Sequence, residues 1–203
     1  MLVVGLTGGI SSGKSTISSW FLQKGIVVLD ADQIVKNLQR PNSPLVLKLA
    51  EEFGASIVNE NGELVRDVLG KIVFYDHEAK ERLNAMIHPL VQAKLEEEIE
   101  RLKKVGEGLV VLDIPLLFES RFEALVDRTV VVYVSPDVQL QRLMKRDQID
   151  REYALAKMNS QMSLDEKRAR ADYVLINNGT MGQLREQFDH LFEVLWERAC
   201  QVF

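Results

Sequence analysis

The chain has 203 residues, of which 46% are hydrophobic and 27% are charged, and its formal net charge is −5. Such a composition is typical of an ordinary globular protein, and the acidic balance argues against nucleic acid or an anionic membrane as a partner. A phosphate-rich ligand is still compatible with it, because backbone amides and a few local cations can bind phosphate. With one cysteine, no signal-peptide pattern and no apolar run of transmembrane length, we expect a cytoplasmic protein.

In chain order, five short and nearly continuous apolar runs predict buried strands. They are Leu2–Leu6, Ile26–Leu29, Leu109–Leu112, Thr129–Val134 and Tyr173–Ile176. Helical patterns separate the runs, and this alternation predicts an α/β fold, with a five-stranded parallel sheet in a three-layer α/β/α core. The last helix, from about Met181 to Ala199, carries its apolar residues on one face, which indicates core packing.

The uneven spacing of the strands predicts a helical insertion. We expect the core at 1–36 and 108–203, whereas 37–107 is mostly helical and has no strong strand pattern. Its longest helical pattern, Asp76 to Lys104, contains Pro89, which should kink or divide the helix near His88. A second helical segment begins at Pro136, with Ser135 as its N-cap.

The turn after the first strand has the pattern of a phosphate-binding loop. The pattern G-x-x-x-x-G-K-[ST] is matched at every fixed position by Gly8-Gly9-Ile10-Ser11-Ser12-Gly13-Lys14-Ser15. The glycines let backbone N–H groups wrap a phosphate, Lys14 can reach the β- and γ-phosphates, and the Ser15 hydroxyl can ligate Mg²⁺. The loop therefore predicts a nucleotide site, without separating kinases from GTPases or other ATPases.

Carboxylates follow two other predicted strands. The second strand ends in Asp30-Ala31-Asp32, and the third ends in Asp113. A kinase needs a carboxylate that orients and deprotonates the acceptor hydroxyl, and we assign this role to Asp32, with Asp30 holding substrate or a Mg²⁺-bound water. This interpretation takes the second strand as the neighbour of the P-loop strand, and the alternative that Asp30 is the base stays open. Asp113 resembles a Walker B carboxylate, which holds Mg²⁺.

Two arginines and one histidine complete the candidate set. Arg142 and Arg146 are four residues apart and share a helix face, so they could close over ATP phosphates, although a solvated basic face is the alternative. His88 lies in the insertion and could contact substrate, but we do not predict that it is catalytic.

Together these segments resemble the dephospho-CoA kinase family over nearly the full length. The P-loop occurs in many families, whereas Asp-Ala-Asp, Ile-His-Pro and Pro-Leu-Leu-Phe-Glu in this order are far more specific. The matching segments are Thr7 to Thr16, Asp30 to Ile34, Arg66 to Gly70, Val73-Phe74, Leu83-Asn84, His88-Pro89, Asp113 to Glu119, Gln139 to Arg146, Gln161, Ala171-Asp172 and Asn177 to Gly179.

The resemblance implies Mg²⁺-dependent transfer of the ATP γ-phosphate to the ribose 3′-hydroxyl of dephospho-CoA, the final step of coenzyme A synthesis. It also implies that 37–107 is a substrate-binding domain and that about 136–162 is a mobile lid. In this scheme the catalytic residues are Asp32, Lys14 and Arg142. ATP would be bound by Gly8 to Thr16, Arg142, Arg146, Asn177 and Gly179; substrate by Asp30, Asp32, Arg66, His88, Pro115 and Leu116; and metal by Ser15 and Asp113.

The sequence departs from the family pattern at Lys36 and Lys157, where the family often has arginine or, at the first, histidine. Lysine keeps the charge but loses the bidentate geometry with which arginine binds a phosphate. Two other functions are compatible with the loop: a small P-loop kinase with another acceptor, and a nucleotide switch without an acceptor. An Asn-Lys-x-Asp segment, which a GTPase would need, does not occur in the sequence. The oligomeric state is open, and a monomer is possible.

Overall fold

The computed structural model describes residues 1–201. It divides into a first unit, Met1–Asp30 together with the described chain from Glu98 onward, and a second unit, Ala31–Glu97. The strands are β1 (Leu2–Gly8), β2 (Val27–Asp30), β3 (Leu109–Asp113), β4 (Arg128–Tyr133) and β5 (Tyr173–Ile176). The helices are α1 (Lys14–Gln23), α2 (Ala31–Leu38), α3 (Pro44–Phe53), α4 (Arg66–Tyr75), α5 (His77–Lys104), α6 (Pro136–Asp147), α7 (Arg151–Asn159), α8 (Leu164–Arg170) and α9 (Met181–Gln201).

The first unit is built on one parallel sheet with the strand order β2-β3-β1-β4-β5. Every residue of β1 and β3 is buried, which requires cover on both faces of the sheet and explains why these strands read as continuous apolar runs. Helix α9 packs Leu184, Phe188, Leu191 and Leu195 into the core of this unit, with Phe192 partly buried beside them. The predicted α/β fold with five parallel strands is therefore confirmed.

The strand order corrects one expectation. β3, and not β2, lies beside β1, because Leu6 pairs with Asp113 and Asp113 pairs with Asp30 across the sheet. The order of parallel strands depends on how each crossover packs, so a strand pattern by itself does not reveal it. As a result Asp113, rather than Asp30, ends the strand next to the P-loop strand.

The second unit has a small apolar core of its own. Leu45, Leu49, Ile57 and Leu69 are buried there, and residues of α5 such as Leu83 pack against them.

The expectation that Pro89 divides the long helix was wrong, since α5 is continuous from His77 to Lys104. Proline removes one backbone hydrogen bond, and both Pro89 and the residue four positions earlier, Ala85, are exposed, so water can take the freed carbonyl.

Within residues 1–201, none of the helices combines the length and the apolar character that crossing a membrane requires.

Candidate active site

The phosphate-binding loop runs from the end of β1 to the start of α1. Gly13 is the N-cap residue of α1 and has φ 94° and ψ 17°, a left-handed conformation that glycine adopts without strain. A Cβ at Gly13 would collide with the side-chain amide of Asn177, and one at Gly8 would lie 2.5 Å from the hydroxyl of Ser12. Among the described residues, no side chain caps α1 and its first turn holds no acid. The positive end of this helix is therefore available to an anion.

A Gly13→Ala variant should bind ADP about tenfold more weakly or worse, because left-handed strain of about 1–2 kcal/mol adds to the collision with Asn177. Gly25→Ala is the matched control: Gly25 also has positive φ, but a Cβ there meets nothing within 4 Å. Titration calorimetry with ADP would test this. Equal ADP affinity in the two variants would contradict it.

Three side-chain amides hold the backbone of the loop. Gln139 of α6 donates to the carbonyl of Ile10 at 2.9 Å, and the carbonyl of the Gln161 side chain accepts from the Ile10 N–H at 3.2 Å. Asn177, just after β5, donates through Nδ2 to the carbonyl of Ser12 at 2.8 Å. Gln139 and Asn177 are buried, so the loop is preorganised by elements far from it in sequence. Gly179 is exposed, and the expectation that Asn177 and Gly179 lie near adenine stays a prediction.

Lys14 and Asp113 form an ion pair at the carboxyl edge of the sheet. Asp113 is 5% exposed, and its cation comes from the first residue of α1. Asp30 ends the adjacent strand in register with Asp113, so two carboxylates stand side by side at the ends of β2 and β3. The structure thus brings together the loop lysine, the predicted Walker B carboxylate Asp113 and Asp30 in the first unit.

The donor set at this edge fits Mg²⁺. Ser15 follows Lys14 in the first turn of α1, and Asp113 supplies a carboxylate next to Lys14. The described residues include no cluster of three or more His, Cys, Asp or Glu side chains that could hold a metal by themselves. Mg²⁺ does not need one, because it commonly binds one or two protein oxygens together with phosphate oxygens and water.

The segment after β3 is tied to both β1 and α8. The carbonyl of Pro115 accepts from the Thr7 hydroxyl at 3.0 Å and from Lys167 Nζ at 2.7 Å, while Leu116 is 37% exposed. Lys167 also forms an ion pair with Glu119. Sequence reasoning gave no role to Gln139, Gln161, Glu119 or Lys167. The helical spacing of two of them was a usable signal. Gln139 lies one turn before Leu143, and Lys167 lies one turn after Leu164, so each polar side chain shares a helix face with a leucine that is buried.

The two predicted lid arginines both lie on α6 but differ in their surroundings. Arg146 donates from Nε to Asp147 at 2.7 Å, and Lys157 donates to the same carboxylate at 2.8 Å. The hydrogen bond from Arg146, followed by that from Lys157, holds the pKa of Asp147 well below its usual range. Arg142 is half-buried and forms no ion pair within residues 1–201. Ser135 is the N-cap residue of α6 as predicted, but its side chain makes no cap hydrogen bond.

The remaining candidates belong to the second unit. Asp32 was placed at a strand end, but β2 stops at Asp30 and Asp32 lies exposed in the first turn of α2. Arg66 is the exposed first residue of α4. His88 is partly buried in α5, and this burial lowers the pKa of its imidazole.

An open groove of about 500 Å³ lies within the second unit. The basic residues that line it are Lys36 and Arg40, near the end of α2 and just beyond it, and Arg66 of α4; Glu63 and Asp67 are the acidic ones. The groove therefore brings the predicted substrate residue Arg66 together with Lys36, the position that departs from the family pattern.

P-loop nucleotide-binding proteins are the class in which such a loop joins the first strand of a parallel sheet to a helix and its lysine lies beside a carboxylate at the end of a neighbouring strand, and the first unit has this organisation. Comparison with known proteins narrows the class. The family model of dephospho-CoA kinase matches residues 2–183, so the chain belongs to the dephospho-CoA kinase family. This confirms the resemblance that the sequence motifs indicated.

Individual relatives agree with the family match. The chain is 46% identical over 188 residues to dephospho-CoA kinase of Bacillus cereus, which covers 93% of this chain and 94% of that protein. A Thermus thermophilus protein of known crystal structure superposes with a TM-score of 0.81 at 34% identity, covering 96% of this chain and 97% of the other. Dephospho-CoA kinase from Campylobacter jejuni superposes with a TM-score of 0.73 at 29% identity and the same coverage.

Proposed function

We propose that this protein transfers the γ-phosphate of ATP to the ribose 3′-hydroxyl of dephospho-CoA, giving coenzyme A and ADP. The observation that carries this function is the family match over residues 2–183, which includes a P-loop intact at every fixed position. The free thiol of Cys200 is exposed, which fits a reducing compartment, and we place the enzyme in the cytoplasm.

On the donor side, the loop N–H groups and the N-terminus of α1 bind the phosphates of ATP. Lys14 exchanges its contact with Asp113 for the β- and γ-phosphates, which frees the Asp113 carboxylate. Ser15 and Asp113 would then hold Mg²⁺, which would supply positive charge to neutralise the phosphates of ATP. Arg142 can add a cation during transfer without first breaking an ion pair, whereas Arg146 would have to leave Asp147.

On the acceptor side, Asp32 removes the proton of the 3′-hydroxyl as the hydroxyl oxygen attacks phosphorus in line with the leaving oxygen of ADP. Asp32 is exposed in the first turn of α2, where an acceptor hydroxyl can reach its carboxylate. Asp30, at the end of β2, would hold the acceptor or a water of the metal site.

The groove of the second unit is a candidate site for the diphosphate of dephospho-CoA. Its cations Lys36, Arg40 and Arg66 offer ammonium and guanidinium donors, and guanidinium groups pair with phosphate through two parallel hydrogen bonds.

We expect Arg66→Ala to raise KM for dephospho-CoA about tenfold and to change kcat by less than about threefold, because the contact forms equally in ground and transition states.

Arg82→Ala is the control for that variant, since Arg82 belongs to the second unit but pairs with Glu52 at 2.8 Å and does not line the groove. Steady-state kinetics with varied dephospho-CoA would measure both variants. An unchanged KM in Arg66→Ala would remove the groove from the acceptor site.

The function itself is tested by ADP release from the purified protein with Mg·ATP. Dephospho-CoA is offered first, then nucleoside monophosphates and small alcohols separately, and the product is analysed for a 3′-phosphate. Turnover that depends on dephospho-CoA supports the proposal. Turnover with another acceptor alone would leave a P-loop kinase of different specificity, and ATP binding without any acceptor-dependent turnover would indicate a nucleotide switch.

A further inference from the structure

A buried lysine outside the predicted site joins the phosphate-binding loop to the segment that follows Asp113. The side chain of Lys167 is 0% exposed, and its Nζ forms an ion pair with Glu119 Oε1 at 2.9 Å. It also donates to the carbonyl of Pro115 at 2.7 Å and to that of Gly8 at 3.4 Å. An ammonium has three donors, so these three oxygens account for all of them.

The position of Lys167 is determined by the local structure of α8. A capping box between Ser163 and Glu166 defines the start of this helix. Leu164 then packs on the loop, where a Cβ at Gly9 would lie 3.0 Å from Leu164 Cγ. Lys167 lies one turn later on the same face and is directed at the same loop. Glu119 is held independently, because its Oε1 also accepts from the N–H of Met162 at 3.0 Å.

Packing alone does not explain a charged residue here. Burying an ammonium and a carboxylate costs desolvation free energy, and apolar side chains of similar volume often replace such pairs at no loss of stability. What an apolar side chain could not do is hold the Gly8 and Pro115 carbonyls at one point. These carbonyls belong to the first residue of the P-loop and to the residue two positions after Asp113.

We propose that Lys167 is a positioning residue for phosphoryl transfer. It holds the start of the P-loop and residues 114–119 at a fixed spacing on either side of Lys14 and Asp113, so that the phosphates of ATP stay in line with the acceptor hydroxyl. Lys167 contacts carbonyl oxygens of the loop and not the N–H groups that bind phosphates, so it acts on the geometry of transfer more than on nucleotide affinity. This inference rests on the proposed function.

The first test is Lys167→Met, assayed with ATP and dephospho-CoA. We expect kcat to fall about 10- to 100-fold, the usual consequence of a misplacement near 1 Å, while KM for ATP and Kd for ADP change less than about threefold. Arg168→Met is the matched control: Arg168 belongs to the same helix and is exposed, and its guanidinium lies over the ring of Tyr133 of β4 instead of contacting the P-loop or residues 114–119. Its kcat should stay within about twofold of wild type.

A second variant separates positioning from charge balance, because Lys167→Met also leaves the Glu119 carboxylate buried without its cation. In Lys167→Met/Glu119→Gln no unpaired charge remains, and the amide oxygen can still accept from Met162. We expect this double variant to recover the thermal midpoint of wild type while kcat stays at least about tenfold low. Recovery of kcat together with stability, or failure of the double variant to fold, would overturn the proposal, since Lys167 would then serve folding alone.

Failure of the proposed function would look different. If neither wild type nor Arg168→Met phosphorylated dephospho-CoA, the acceptor assignment would be wrong. The same four proteins would then be compared by their acceptor-independent hydrolysis of ATP, in which the positioning role predicts the same order of rates.

Discussion

Replacing Asp32 with asparagine is expected to lower kcat with dephospho-CoA at least about 100-fold, the usual scale for loss of a general base. Asparagine has nearly the same shape and can still accept a hydrogen bond from the acceptor hydroxyl, but it cannot take the proton. Because Asp32 lies in the first turn of α2 and not in the P-loop, ATP affinity should stay close to wild type. Single-turnover kinetics with Mg·ATP and dephospho-CoA would measure the chemical step directly.

The control for Asp32→Asn is Asp137→Asn. Asp137 is also an exposed aspartate in the first turn of a helix, α6, so the two substitutions remove the same charge from equivalent local positions. A general loss of helix-terminal charge would affect both variants alike, whereas loss of the base affects one. Asp30→Asn completes the series, because near-normal turnover of Asp32→Asn with a slow Asp30→Asn would transfer the role of base to Asp30.

The Lys14→Met variant is expected to lose about 10²- to 10³-fold in kcat/KM for ATP, comparable to the loss of one donor aimed at developing charge. Methionine keeps the unbranched apolar stem of lysine but carries no ammonium for the β- and γ-phosphates. The same substitution removes the cation that faces the buried Asp113, so the thermal midpoint without nucleotide should also fall.

Lys24→Met is the control for Lys14→Met. Lys24 follows α1 at its opposite end, where it pairs with Asp189 at 3.1 Å and lies over the ring of Phe192, and it should change kcat/KM for ATP by less than about twofold. Differential scanning fluorimetry with and without ADP would follow stability, and coupled ADP release would follow activity. Nearly normal kcat/KM in Lys14→Met would mean that the loop does not carry the reacting phosphates.

Local patterns were sufficient for much of the fold. The strands agree with the predicted runs to within one or two residues, because a strand buried on both faces needs apolar residues throughout. The P-loop could also be predicted from the sequence, since its pattern requires glycines. Glycine is needed there because of the backbone conformation and because side chains such as Asn177 approach closely. Pro89 was expected to kink or divide the helix, and the division was wrong because an exposed helix surface lets water satisfy the lost hydrogen bond.

By itself, the sequence determined the fold class, the phosphate loop and the family, because each can be recognised from short segments whose residue types follow from local structure and chemistry. Only the tertiary structure decided that β3 separates β1 from β2, that Lys14 pairs with Asp113, and that Lys167 reaches the carbonyls of Gly8 and Pro115. These contacts join residues far apart along the chain. They depend on how crossovers and helices pack around the sheet, a property of the whole folded unit that no short segment encodes.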